Sequence, residues 1–530
     1  MAGVSLRGHY DPEDGPSLSL VLLASAVAVA VLFPLIWLVV RALEVGPARA
    51  TGLLLRARTV DIVLNSVGLV ATVTAASVLL GVPLAVLTVG TDLPLRRAWS
   101  VLVALPLVVP SYVGAFAFVS ATGESGALSL LLEPLGVTGL PTIEGFGGAA
   151  LVLTLYTYPY VFITTRAALL SFDGTLVEAA RTLNHGRWAA FRRVTFPQIA
   201  PGVAAGALLV ALYALADFGT PAIMRFDVFT RIIYNEYNAF GRDFAALLSL
   251  QLLAVVAVIL ALESRVGGAD DRSYVGGATR TRLRLGRWRY PATAFCLAVV
   301  VLSLALPLGV LLLWLVRDVA GSTAGGFTFR WVFGLNSVFV SALAAGVAVV
   351  AAVPVAYLSA RASGPLARLV DRATYVGYAV PGVVVGLALV SFGVRFATPL
   401  YQTLPLLVFA YLVRFLPQAV GAVRSSVLQV DPTLTEAARS LGRTPGGAFR
   451  SVTLPLIAPG VAAGAALVFL TTMKELPATL MLAPLGFETL VTYVWQVQEA
   501  GYYGAAAVPA LVLVGISALS MVVILAQERR

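Results

Sequence analysis

A single lysine, Lys474, a single cysteine, Cys296, and two histidines, His9 and His185, are all that 530 residues contain of these three types. One cysteine allows no disulfide framework, and one cysteine with two distant histidines allows no structural zinc site. The phosphate-cradling pattern G-x-x-x-x-G-K-[ST] needs a lysine after a glycine. Lys474 instead follows Thr471-Thr472-Met473, so ATP hydrolysis by this chain alone is not expected. Charge is scarce too: Asp, Glu, Lys and Arg make up 12% of the residues, about half the share in soluble domains. Against this, 59% of the residues are hydrophobic and mean hydropathy is +0.91. That balance excludes an ordinary soluble enzyme, a disordered chain and a nucleic-acid binder, and it places the protein in a bilayer.

Roughly 20 apolar residues span the hydrocarbon core. Twelve runs meet that length, near 18–41, 61–89, 98–121, 148–171, 199–223, 244–263, 291–316, 335–360, 373–397, 401–424, 457–482 and 503–526. The expected fold is an all-α polytopic transmembrane helical bundle of about twelve spans. The first run is too long for a signal-peptide core and more spans follow it, so it reads as an uncleaved helix. Loops on one side carry Arg96, Arg97, Arg181, Arg187, Arg192 and Arg193, and a basic stretch holds Arg280, Arg282, Arg284, Arg287 and Arg289. The opposite loops carry Glu124, Glu133, Glu144, Glu488 and Glu499. Basic loops mark the cytoplasmic face, which puts the N-terminus inside. Arg49, Arg56 and Arg58 fall in an outer loop and run against this rule.

The chain contains two copies of one unit. Asn65-Ser66, Pro83 and Pro110 recur as Asn336-Ser337, Pro354 and Pro381, each 271 residues on. Arg166, Asp173, Glu178, Pro197 and Pro201 recur as Arg424, Asp431, Glu436, Pro455 and Pro459, each 258 on. The 12 residues from Ile199 match those from Ile457 at 11 positions. The expected organisation is a cytoplasmic tail over 1–17, a first repeat over 18–263, a basic cytoplasmic linker over 264–290 and a second repeat over 291–530. Six spans per copy is even, so both copies should face the same way.

The repeated loop after the fourth span of each half carries its own signal. Asp431 suits a helix N-cap and Pro432 the first helical position. Leu434, Ala437, Ala438 and Leu441 then fall on one face, with Glu436 and Arg439 on another. Leu176, Ala179, Ala180 and Leu183, with Glu178 and Arg181, repeat the pattern after Asp173. A Glu–Arg pair three apart is worth only about 0.2–0.5 kcal/mol to a helix. A surface shaped for a partner explains a twice-occurring charged loop better than an interfacial helix resting on lipid.

Glu436-Ala437-Ala438, Gly442, Val452, Leu454 and Pro455 resemble the signature loop of the membrane subunits of ATP-binding-cassette (ABC) importers. Glu178-Ala179-Ala180, Val194 and Pro197 match it with Asn184 for the glycine and Phe196 for the leucine. The resemblance implies a fused two-copy permease whose two loops (Glu178, Ala179, Ala180, Arg181 and Asn184; Glu436, Ala437, Ala438, Arg439 and Gly442) dock on two separate ATPase subunits. This chain would then bind no cofactor, and ATP would be used by the partner.

Charges within spans are functional candidates by default. Asp217 in the fifth span corresponds to Glu475 in the eleventh, and Lys474 adjoins the latter, so these three are candidates for the translocation pathway. Asp217-Phe-Gly-Thr-Pro-Ala and the segment Lys474–Glu488 resemble the ferric-iron branch of these permeases, which implies an extracytoplasmic binding protein that delivers Fe(III). Fused permeases for thiamine or polyamines are alternatives, and an ion-coupled secondary transporter is the alternative of a different class.

Overall fold

The computed structural model describes residues 17–123, 126–136, 139–171, 182, 186, 189, 191–239, 241–266, 283–319, 327–362 and 364–527. The tail over 1–16, most of the basic linker and the loop containing Asp173, Glu178, Ala179, Ala180, Arg181 and Asn184 lie outside the described residues. Among the described residues the chain is helical, without strands.

In the first half the main helices are α1 (Leu18–Leu43), α2 (Pro47–Leu54), α3 (Ala57–Gly90), α4 (Arg96–Leu102), α5 (Ser111–Ala121), α6 (Gly145–Ser171), α7 (Phe196–Ala216), α8 (Gly219–Ile223), α9 (Phe229–Asn238) and α10 (Arg242–Val266). In the second half they are α11 (Arg289–Val300), α12 (Leu306–Val319), α13 (Trp331–Arg361), α14 (Pro365–Ala379), α15 (Gly382–Phe396), α16 (Leu404–Gln429), α17 (Pro432–Ser440), α18 (Leu454–Met473), α19 (Pro477–Leu482), α20 (Leu490–Glu499) and α21 (Ala507–Gln527). Each half is built on a triad of mutually packed helices, α3–α6–α7 in the first and α13–α16–α18 in the second. The halves interlock. α1 lies on α14 and α15 of the second half, and α12 lies on α5 of the first.

The near-identical stretch that begins at Ile199 and Ile457 has a packing reason. It places Gly202 and Gly206 on α7, and Gly460 and Gly464 on α18, four residues apart on one face. A Cβ on Gly202 would sit 3.0 Å from the Thr164 carbonyl oxygen of α6, and one on Gly460 would sit 2.9 Å from that of Ala422 on α16. Small residues at this spacing let backbones approach where lipid supplies no hydrophobic drive between helices.

Twelve straight spans are not what the structure shows. Among the described residues nine helices are long and apolar enough to cross a membrane, or up to eleven if each of two bent pairs counts as one. The runs at 98–121 and 373–397 are these pairs, bent by 90° and 102°. The last run, 503–526, corresponds to α21. The bends share one cause. Val109 and Val380, each preceding a proline, are extended at ψ 126° and 122°, and Pro110 and Pro381 continue extended at ψ 137° and 144°. Proline disfavours a helical residue before it. Pro83 and Pro354 stay within continuous α3 and α13, so proline bends the chain only where two consecutive residues leave the helix.

The first bent pair joins opposite ends of α3, a helix about 50 Å long at 1.5 Å per residue. It leaves near Gly90, where Leu283 N–H donates to the Gly90 carbonyl and Asp92 N–H to that of Leu283. It ends near Thr122, whose hydroxyl accepts from Ile143 N–H, and close by Gly145 N–H donates to Met224. That is the end of α3 at which Asn65 Nδ2 donates to the Asp227 carbonyl, 3.1 Å away.

The repeated Asn-Ser pair forms the same knot in both halves. Asn65 donates to Asp227, and Ser66 Oγ accepts from Phe229 N–H at 3.0 Å. Asn336 donates to the Glu488 carbonyl at 2.8 Å, and Ser337 Oγ accepts from Leu490 N–H at 2.8 Å. Each knot ties its long helix to the start of α9 or α20.

Candidate functional site

Four helix breaks meet at one cavity of about 230 Å³ between the halves. The bends at Val109–Pro110 and next to Ala379 supply one pair of walls. The other pair comes from the interruptions between α7 and α8 at Asp217–Phe218, and between α18 and α19 at Lys474–Leu476. The runs at 199–223 and 457–482 are thus each a long helix, a break and a short helix. Irregular backbone is tolerated at membrane depth where it lines protein or a wet cavity.

Asp217 from the first break and Lys474 and Glu475 from the second all line this cavity. Asp217 Oδ2 accepts from Ser111 Oγ at 2.7 Å and Thr220 Oγ1 at 2.8 Å. Tyr213 donates to Ser111 Oγ at 3.2 Å and extends this chain across the wall. All the partners of Asp217 are neutral.

The second copy solves the same position differently. Glu475 is 6% exposed and forms an ion pair with Arg414 of α16, whose side chain is 15% exposed; its other oxygen accepts from Ala478 N–H at 3.1 Å. Arg414 occupies the place of Tyr156 in the first copy, and Gly382 that of Ser111. A Cβ on Gly382 would lie 2.7 Å from Arg414 Nη1 and 3.1 Å from Pro477 Cγ, so the glycine makes room for the longer acid and its arginine. Lys474, the C-cap of α18, takes a different partner from Glu475. Its Nζ reaches across to the other half and donates to the Leu107 carbonyl at 2.9 Å.

Arg414 escaped the sequence reading, although it is a charge inside the span 401–424 and a full tally of such charges would have included it. Ser111 carried no signal, because its role depends on a carboxylate 106 residues away.

At the far end of the second triad, α17 forms the expected short helix. Asp431 caps it by accepting from Thr433 N–H at 3.0 Å, and Pro432 opens it. That amide holds the Asp431 carboxyl below its ordinary range. Gly442 reverses the chain at φ +84°, a conformation costly for any residue with a Cβ. No residue of α17 is buried; Leu434 is 48% and Leu441 86% exposed, and Glu436 and Ala437 are exposed beside them. Contacts at and just before α17 tie this segment to the membrane helices. Thr435 Oγ1 lies 3.4 Å from Thr453 Oγ1, just before α18. Arg361, at the end of α13, donates to the carbonyls of Val427 and Val430, just before Asp431.

The family described as "Binding-protein-dependent transport system inner membrane component" matches the chain over residues 77–321 and 352–530. The chain is 33% identical to the Fe(3+)-transport system permease protein FbpB 2 of Haemophilus influenzae, over 95% of this chain and 97% of the relative. It is 25% identical to the ferric transport system permease protein FbpB of Actinobacillus pleuropneumoniae, over 87% and 70% respectively. The molybdenum transport system permease protein ModB of Mycobacterium tuberculosis is 32% identical, covering 48% of this chain and 90% of its own length. The chain therefore belongs to the binding-protein-dependent inner membrane components of ABC transporters, and is a multi-pass permease of the cell membrane that carries the family match in two stretches.

Proposed function

We propose that this permease imports ferric iron, which an extracytoplasmic binding protein delivers and two separate ABC ATPase subunits drive across. The observation that carries the substrate assignment is the similarity to a ferric permease along nearly the whole chain, whereas the molybdenum relative spans only about half of it. Carboxylates at the cavity suit a hard cation. No group of three or more metal-ligating side chains occurs among the described residues, so discrimination between ions falls to the binding protein.

In this reading the Glu436 loop and its counterpart at Glu178 seat the ATPases, and this chain binds no nucleotide. The exposed leucines of α17 are the contact surface. α18 is the connecting rod: it begins beside the Thr435–Thr453 contact and ends about 30 Å away at Lys474, by its 1.5 Å rise per residue. A shift of α17 is thereby delivered to the Lys474–Leu107 and Arg414–Glu475 contacts, and Asp217, Lys474 and Glu475 flank the pathway they close.

The test is uptake into vesicles holding the permease with its ATPase, with binding protein outside and ATP inside. Radioactive ferric iron is expected to accumulate, unaffected by excess molybdate, thiamine or spermidine. Accumulation of one of those compounds instead, or iron uptake driven by an ion gradient without ATP, would overturn the proposal.

A further inference from the structure

A second cavity, of about 510 Å³, opens at the surface where α1, α2, α3, α9 and α10 end or begin. Five arginines line it, Arg41, Arg49, Arg56, Arg58 and Arg242, against two carboxylates, Glu236 and Asp243. Those carboxylates are already used. Asp243 pairs with Arg49 at 3.1 Å and Arg41 at 3.8 Å, and Glu236 pairs with Arg58 at 3.2 Å. Arg56 and Arg242 are exposed and form no ion pair with a described residue.

This basin faces away from α17. Tyr237 of α9 meets Tyr401 at 3.5 Å, and Arg395 pairs at 2.8 Å with Glu44, the C-cap of α1, both at the Leu404 end of α16. α17 follows the other end of α16, about 38 Å distant at 1.5 Å per residue. With α17 in the cytoplasm, the basin is extracytoplasmic.

Three physical preferences oppose so many arginines there. Basic residues are depleted on the outer side of membrane proteins. Arg49, Arg56, Arg58 and Arg242 each sit at or within the first turn of a helix, the end whose dipole repels cations. Like charges gathered in one basin also repel each other. The corresponding last helix of the second copy opens with Ala507-Val508 where α10 opens with Arg242-Asp243, so the repeat architecture does not require them. A basin that folding and topology both disfavour, and that holds unneutralised cations facing outward, is complementary to an anionic partner surface.

We propose that this basin is the docking seat for an acidic surface of the extracytoplasmic binding protein, so that the first half of the chain carries the electrostatic recognition. The proposal rests on the functional reading above.

The experiment uses the full permease with its ATPase in vesicles of phosphatidylcholine, with and without phosphatidylglycerol, titrated with its purified binding protein. In Arg56→Glu/Arg242→Glu the concentration giving half-maximal ATPase stimulation is expected to rise at least about tenfold in both vesicle types, with the unstimulated and maximal rates unchanged. Acidic residues are favoured at helix N-termini, so the variant should fold. Arg56→Lys/Arg242→Lys should keep the wild-type value, and added salt should weaken wild-type docking more than that of the Glu variant. An unchanged half-maximal concentration in the Glu variant would overturn the docking seat while leaving the transport reading intact. A shift seen only with phosphatidylglycerol would make the basin a lipid-headgroup site and also overturn it. A wild-type permease that no concentration of binding protein stimulates would bring down the functional reading and the docking seat together.

Discussion

Replacing Arg414 with methionine tests the electrostatics of the central cavity through what it leaves behind. Glu475 is 6% exposed, and without Arg414 its carboxylate keeps only the Ala478 N–H at 3.1 Å. Removing one partner of a buried ion pair costs about 3–5 kcal/mol. The adjoining cavity of about 230 Å³ has room for water, which places this site near the lower end, at about 3 kcal/mol. In Arg414→Met/Glu475→Gln no charge is stranded, and the amide oxygen still accepts from Ala478, so the deficit should shrink to about 1 kcal/mol. Extending the size trend of melting temperatures to a chain this long gives roughly 1–2 °C per kcal/mol. The single variant should then melt about 3–6 °C below wild type, and the double about 1–2 °C below. Cys296, the single cysteine and fully buried, is the reporter, because a thiol-reactive dye labels it only as the protein opens. A double variant as unstable as the single one, or an Arg414→Met melting with wild type, would refute the idea that the arginine is there for Glu475.

The two Asn-Ser knots should behave alike. Ser66→Ala and Ser337→Ala each orphan one backbone N–H, of Phe229 or Leu490, at a cost of about 1–3 kcal/mol, and Cys296 labelling should report similar losses for both. For α17, Asp431 has a folded carboxyl pKa below its unfolded value, so its contribution is complete above about pH 4 and is lost as pH falls through the lower, folded value. Amide exchange over 433–440, referenced to an unstructured peptide at each pH, should therefore show α17 opening more readily in acid than near neutrality. Asp431→Asn, which keeps an acceptor but does not titrate, should abolish that pH dependence.

Much of this was legible in the sequence. Apolar runs located the helices, the paired offsets exposed the repeat, and Asp431, Pro432 and Gly442 set the limits of α17 by local rules alone. What stayed hidden depends on distant partners. The Asn-Ser repeat was visible, but its hydrogen bonds go to backbone atoms more than 150 residues away. Pro110 and Pro381 look like Pro83 and Pro354 in hydropathy, yet only at the first two does the preceding residue leave the helix together with the proline, which bends the chain. Arg414 was readable as a charge within a span, but the reason for it required Gly382 and Glu475 in space. The arginines at 49, 56 and 58 stood out as exceptions to the positive-inside rule, and only the fold showed them gathered with Arg242.

The central claim is that α17 couples a separate ATPase to a pathway at the opposite end of α18. The most direct measurement follows ATP hydrolysis and ferric-iron uptake in the same vesicles, for wild type and Glu436→Lys at equal amounts of inserted permease. In the variant, binding protein should no longer raise ATP hydrolysis, and uptake should fall to background. Stimulation and uptake at wild-type levels in Glu436→Lys would contradict the claim.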